Sequence, residues 1–141
     1  MVIDHIGIVV RSLDEGVNQW TKIFGYIQMT EQVINLLQQV KVVFMCKENS
    51  LQVKLIEPLN DQSPVYNFAK RGGGIHHLCF RTGNMDEQIN EFQKMKNEIR
   101  VIVNPQPGEA FNNKPIAFVL AKNNLNIELI DTDERAGIIL K

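Results

Sequence analysis

A chain of 141 residues with 44% hydrophobic and 22% charged residues can hold one ordinary domain, or two half-size modules sharing a core. Its formal net charge of −1, without a basic run interleaved with aromatics, excludes a broad nucleic-acid surface. No apolar run reaches the roughly 18–20 residues of a membrane span, so no membrane partner is expected. Met1-Val2-Ile3-Asp4-His5 lacks a basic segment ahead of an apolar core, so no signal peptide is expected. Cys46 and Cys79 sit in strand-like runs and are expected as buried reduced thiols, which fits a cytoplasmic protein.

Apolar alternation predicts a first strand near 2–10. Leu13, Val17, Trp20 and Phe24 then fall on one face of a helix, with Ser12 as its N-cap and Gly25 at its end. Strands follow near 27–35, 40–46 and 51–57, with Lys47-Glu48-Asn49-Ser50 as a hairpin turn. Ser63-Pro64 is expected to open a short helix with proline at its first position. Gly72-Gly73-Gly74 ends it, and without a following G-K-[ST] this run reads as a linker rather than a phosphate loop. A strand near 75–82 leads to a second helix capped by Asn84, with Met85, Ile89, Phe92 and Met95 on its apolar face. Strands near 99–103, 115–121 and 125–131 complete the chain, with Lys122-Asn123-Asn124 as the last turn.

The two halves repeat each other. Ile3-Asp4-His5-Ile6 aligns with Ile75-His76-His77-Leu78, and Leu13-Asp14-Glu15 with Met85-Asp86-Glu87. After a small insertion, Val42-Val43-Phe44 aligns with Ile116-Ala117-Phe118, and Val53-Lys54-Leu55-Ile56-Glu57 with Ile127-Glu128-Leu129-Ile130-Asp131. The expected architecture is therefore α+β: one domain made of two βαβββ modules, residues 1–59 and 75–141, joined by a linker helix within 60–74. Their curled mixed sheets should enclose a shared cleft.

Three histidines are present. His5 and His77 hold equivalent repeat positions and are expected to face each other across the cleft, while strand alternation puts His76 on the opposite face. The same symmetry pairs Lys54 with Glu128. Two imidazoles and a carboxylate suit a divalent transition metal, so His5, His77 and Glu128 are the candidate ligands. Asp4, Asp14, Asp86 and Glu87 read as helix-cap or solvated-face charges, and Met29, Met45 and Met95 as core filler.

Ile3-Asp4-His5-Ile6-Gly7-Ile8, Glu57-Pro58-Leu59 through Ser63-Pro64, Gly72-Gly73-Gly74-Ile75-His76-His77-Leu78 and Ile127-Glu128-Leu129 together resemble a known group. They are similar to the vicinal-oxygen-chelate (glyoxalase/bleomycin resistance/dioxygenase) superfamily, and within it to the methylmalonyl-CoA epimerases. The resemblance spans nearly the whole chain and implies a glyoxalase-like fold. It also implies a metal such as zinc, cobalt, nickel, manganese or iron, held at positions His5, Lys54, His77 and Glu128. Family members carry Glu or Gln where Lys54 stands, and bacterial epimerases carry a further carboxylate on the strand matching Val40–Met45, which has none. An ammonium has no lone pair for a metal. Lys54 could lose its proton. It could turn away, leaving two histidines and a carboxylate, with Gln52 on the same strand face approaching the site. Or it could pair with Glu128 in place of the metal.

The resemblance implies an isomerase, epimerase or lyase. An epimerase would act on an acyl-CoA-type thioester by α-proton abstraction, with Glu128 and Lys54 as catalytic residues and Gln52 and His76 as cleft candidates. The alternatives are a metal-free small-molecule binding module of the same fold and an Fe(II) dioxygenase. A small-molecule partner and a homodimer are expected.

Overall fold

A computed structural model of the chain describes residues 1–139. Its strands are β1 (Val2–Val9), β2 (Ile27–Gln28), β3 (Val33–Asn35), β4 (Val40–Cys46), β5 (Gln52–Pro58), β6 (Gly74–Arg81), β7 (Ile99–Gly108), β8 (Lys114–Ala121) and β9 (Leu125–Ile130). The helices are α1 (Leu13–Phe24), α2 (Tyr66–Lys70) and α3 (Met85–Gln93).

Local chemistry sets the helix ends. The Ser12 hydroxyl accepts from the Glu15 amide at 3.2 Å, and the Asn84 side chain accepts from the Glu87 amide at 3.1 Å. Each satisfies a backbone donor that the first helical turn leaves unpaired. Gly25 ends α1 at φ 74°, a left-handed conformation that glycine adopts without steric cost.

Strand alternation then sorts the side chains. On one face, Val43, Met45, Val53 and Leu55 pack under Leu13, Val17 and Trp20 of α1. The equivalent Ala117, Val119, Ile127 and Leu129 pack under Met85, Ile89 and Phe92 of α3. Each fully buried aliphatic side chain of these layers contributes about 1.5–3 kcal/mol. The alternate positions, including Val42, Phe44, Ile56, Ile116 and Ile130, form a third cluster on the concave face. Lys54 and Glu128 belong to that face because their sequence neighbours, Val53, Leu55, Ile127 and Leu129, are committed to the helices.

The strands make one curled, unclosed nine-stranded sheet in the order β2-β4-β5-β1-β6-β9-β8-β7, with β3 also paired to β4. The order is symmetric about the antiparallel β1–β6 pair, and β1–β5 and β6–β9 are both parallel. This is a mixed α+β, glyoxalase-like architecture.

Several expectations change. The strand near 27–35 is broken into β2 and β3, because the residues between them pair elsewhere. Thr30 bridges Ile138, the Glu31 amide donates to Gly137, and the Ile139 amide donates to Met29. The chain's last described residues therefore lie across the first half of the sheet. Strand β7 runs on to Gly108, five residues beyond its expected end at 103. Pro64 is not the first helical residue: it lies in a turn, and α2 begins at Tyr66, whose amide donates to the Ser63 carbonyl. Phe24, the last residue of α1, and Met95, two residues beyond the end of α3, stay half-exposed, and Cys46 is only partly buried. No helix among the described residues is long and apolar enough to cross a membrane.

Candidate functional site

The concave face converges on Glu128. Its Oε1 accepts from His5 Nε2 at 3.1 Å, His77 Nε2 at 3.2 Å and Lys54 Nζ at 3.1 Å, and its Oε2 accepts from the same Nζ at 3.1 Å. The four side chains come from β1, β5, β6 and β9, and all are buried. Burial works to raise the Glu128 carboxyl, but the Lys54 ammonium and the two imidazole donors outweigh it. They hold Glu128 well below the usual carboxylate range.

His5 and His77 do not face each other across the cleft. Their strands are neighbours at the seam of the sheet, where His5 pairs with Cys79 and Gly7 with His77, and their rings lie 6.0 Å apart. A Cβ at Gly7 would collide with the His77 ring, so glycine there makes room for it.

The seam pairing is irregular twice, between Ile3 and His5 and between Gly7 and Ile8. The first irregularity leaves Asp4 without a partner in the ladder, and the second leaves His76 so. Simple alternation fails at both residues, which corrects the face expected for His76, though not its place among the cleft candidates, and the solvated reading of Asp4. His76 lies beside His77 and lines the cleft, with the two Nδ1 atoms 2.9 Å apart. Asp4 is no solvated charge: its side chain is 5% exposed, and Oδ2 lies 2.7 Å from His5 Nδ1.

The hydrogen-bond chain assigns protons. Glu128 only accepts, so His77 donates from Nε2 and accepts at Nδ1 from His76 Nδ1. The lone pair of His76 is then on Nε2, with the Asn126 amide nitrogen 3.3 Å away. His5 lies between two carboxylates, so both of its contacts are hydrogen bonds only when the ring carries both protons. Burial, with the positive charge of Lys54 nearby, pushes His76 down to about 4, and burial also lowers His77.

Arg135 completes the floor. It reaches the site because the chain after β9 crosses back to the first half: the Ala136 amide donates to Ala110, and one residue on, the Gly137 carbonyl accepts from the Glu31 amide. Its guanidinium donates to Asp4 Oδ2 and, from Nη2 at 3.2 Å, to Gln52 Oε1. It also stacks 4.3 Å above the Phe44 ring centroid. Gln52 is thus engaged by Arg135 and does not line the cleft, contrary to expectation. Arg135, Asn126 and Phe111 were not singled out from sequence, and Asp4 was read only as a cap or surface charge. The repeat alignment held a signal for two of them, since Asp4 aligns with His76 and Asn126 with Gln52.

Above the cluster opens a cleft of about 310 Å³. Its walls are apolar, with Val40, Val42, Ile56, Phe111, Ile116 and Phe118 among them. Glu128 is the only carboxylate among the described residues lining it, and Lys54 the only ammonium. An apolar enclosure with a few convergent polar groups is the usual form of a small-molecule site.

A family model described as the glyoxalase/bleomycin resistance protein/dioxygenase superfamily matches residues 4–118. The chain belongs to this superfamily. A mitochondrial methylmalonyl-CoA epimerase of Dictyostelium discoideum is 28% identical, over 94% of this chain and 78% of its own length. The uncharacterized protein YqjC of Bacillus subtilis is 30% identical, over 92% and 91%. The solved methylmalonyl-CoA epimerase of Mycobacterium tuberculosis superposes with a TM-score of 0.80 at 27% identity, covering 92% of this chain and 87% of that one. Another solved methylmalonyl-CoA epimerase, in complex with methylmalonyl-CoA and NH4+, superposes with a TM-score of 0.81 at 25% identity, covering 97% and 96%. The chain is an epimerase-like member of the superfamily.

The superfamily resemblance implies a metal, and three of the four groups suit one. His5, His77 and Glu128 each offer a ligand atom, all within 4.8 Å of one another. The full donor set does not fit. Both histidine Nε2 atoms point at Glu128 Oε1, and the Lys54 ammonium takes up both Glu128 oxygens. A cation with no lone pair stands where a ligand is required.

Proposed function

We propose that the chain carries out α-proton chemistry, epimerisation or a related isomerisation, on an acyl-CoA-type thioester whose acyl end enters the cleft. The observation that carries this reading is the Lys54 ammonium at the base of an apolar cleft. Two of its three N–H bonds go to Glu128, which leaves one for a substrate oxygen. One solved methylmalonyl-CoA epimerase is in complex with methylmalonyl-CoA and NH4+; here the cleft has an ammonium of its own in Lys54.

In the reaction, a base takes the α-proton and the C–H electron pair becomes a new carbon–carbon π bond. The carbonyl π pair moves to oxygen, giving an enolate that accepts a hydrogen bond from Lys54 Nζ. Return of the proton to the opposite face inverts the centre. Among the described residues of the cleft wall, Glu128 and the neutral His76 can accept a proton.

The test is deuterium uptake at the α-carbon of propionyl-CoA and methylmalonyl-CoA in D2O, followed by mass spectrometry. Protein-dependent uptake that falls by about 10²–10³ in Lys54→Gln is expected, the usual effect of removing one oxyanion donor. No uptake from either thioester sinks the reading. A second reading, ligand binding without turnover, is favoured by one observation: Glu128 is held so firmly in its charged form that it is a weak base. Thermal stabilisation by an acyl-CoA without exchange would select it. An Fe(II) dioxygenase needs the same three ligands and meets the same obstacle at Lys54.

A further inference from the structure

We propose that Lys54 is the resident cation of this site, taking the place of the divalent metal that the superfamily resemblance implies, so that the protein works without one. The activity arm of this inference rests on the thioester reading above; its metal-binding arm does not.

Three observations carry it. First, the ammonium is at the centre of the ligand set. Nζ is 3.1 Å from both Glu128 oxygens, and one of them, Oε1, is the shared acceptor of His5 and His77. A dication bound to the same carboxylate would lie within a few ångströms of a positive charge in a buried site, where repulsion is weakly screened.

Second, each buried carboxylate already has a cation: Arg135 donates to Asp4, with Arg81 3.8 Å away, and Lys54 donates to Glu128. A dication would add two further positive charges, with no carboxylate left to match them, to a cluster largely hidden from water.

Third, Lys54 has nowhere to retreat. Its neighbours Val53 and Leu55 are buried beneath α1, which keeps its side chain on the concave face. The side chain is 8% exposed, with Nζ 5.2 Å from the Phe111 ring centroid. No second carboxylate lines the cleft among the described residues, so swinging off Glu128 would leave the charge without a counter-ion in a largely apolar cleft whose other polar groups, such as Asn35 and Gln38, are neutral.

The experiment titrates Co2+ and Zn2+ into chelator-treated protein by calorimetry and follows cobalt absorption. It compares the natural chain with Lys54→Gln and Lys54→Glu, which restore the ligand types of the family. The natural protein is expected to bind neither metal appreciably. Each variant is expected to bind about one equivalent, on the order of a hundredfold or more tighter, as removal of a buried repulsion predicts. Metal should also raise the variants' Tm and leave that of the natural protein unchanged, so a variant weakened by its substitution still reports. In parallel, α-proton exchange by the natural protein is expected to be unchanged by EDTA or by added metal. One tightly held equivalent of metal in the natural protein, or exchange abolished by chelation and restored by metal, overturns the inference. If no thioester exchanges, the functional reading fails, while the binding titration still decides this one.

Discussion

The two halves of the sheet place equivalent positions around the same centre and fill them differently. Each half presents a histidine, His5 or His77, beside a phenylalanine ring, Phe44 at 5.1 Å or Phe118 at 6.1 Å. Each histidine pairs across the seam with a residue carrying little side chain, Cys79 or Gly7. Each is preceded by a residue displaced by a strand irregularity, Asp4 or His76, which contacts its Nδ1. Beyond these lie Gln52 and Asn126, again equivalent. The halves then diverge. In the first, Arg135 bridges Asp4 to Gln52 and seals the floor; in the second, Asn126 meets His76 directly and the imidazole lines the cleft. The two halves share one geometry, and the residues that fill it tie Asp4 and Gln52 to Arg135 in the first and leave His76 on the cleft wall in the second. The Lys54–Glu128 pair is that divergence taken furthest: one position per half, with opposite charges.

The largest expected effect comes from breaking that pair. Lys54→Ala or Glu128→Ala leaves a buried charge unmatched and should cost about 3–5 kcal/mol in urea unfolding. Lys54→Met combined with Glu128→Leu should recover most of the loss, since replacing both members with apolar groups is often near neutral. Equal loss in the single and double variants would mean that the pair is not the source of the cost.

The seam comes next. Gly7→Ala forces the His77 ring aside and should cost about 1–3 kcal/mol, the usual range for overpacking. At the equivalent position, Cys79→Ala removes one buried sulfur and should cost less. The reverse order would break the equivalence drawn between the two histidine pockets.

Acid should expose the difference between the two supports. His76 stays unprotonated in the fold down to about pH 4, whereas an unfolded histidine titrates near 6.5. Between those values the unfolded chain binds more protons, so stability falls as pH drops from 6.5 toward 4. His77, lowered in the same direction, adds to this loss. Asp4 and Glu128 are lowered as carboxylates, so their contribution is full above about pH 4 and is lost only below it. Unfolding followed from pH 8 to 3 should therefore lose stability in two stages. His76→Asn should shrink the upper one to the His77 share and leave the lower one intact.

The smallest effects test the symmetry of the scaffold. Ser12→Ala and Asn84→Ala each remove one helix cap and should cost about 1 kcal/mol, with similar values in the two halves.

Much of this was legible in the chain. The periodic apolar positions of α1, α3, β4, β5, β8 and β9, the two caps and the internal repeat all depend on neighbours close in sequence, or on a pattern that recurs. The placement of His5, Lys54, His77 and Glu128 on one face followed from strand alternation together with the internal repeat. His76 and Asp4 were misplaced because each sits at a strand irregularity, and alternation holds only while the ladder is unbroken. Gln52 was assigned to the cleft on alternation alone, which says nothing of a side chain arriving from elsewhere. Arg135 left no signal at all, lying in an irregular segment among Asp131, Thr132, Asp133 and Glu134.

By itself, then, the sequence determined the repeated pattern of strands and helices and the face of residues where the ladder is unbroken, because these follow from periods of 2 and 3.6 written locally. Only the tertiary structure decided that the histidines are neighbours at a seam, that Lys54 and Glu128 meet, and that the crossing segment brings Arg135 beneath them. Those contacts join residues as far apart in the chain as Asp4 and Arg135, and they depend on how the sheet curls and where the last segment returns.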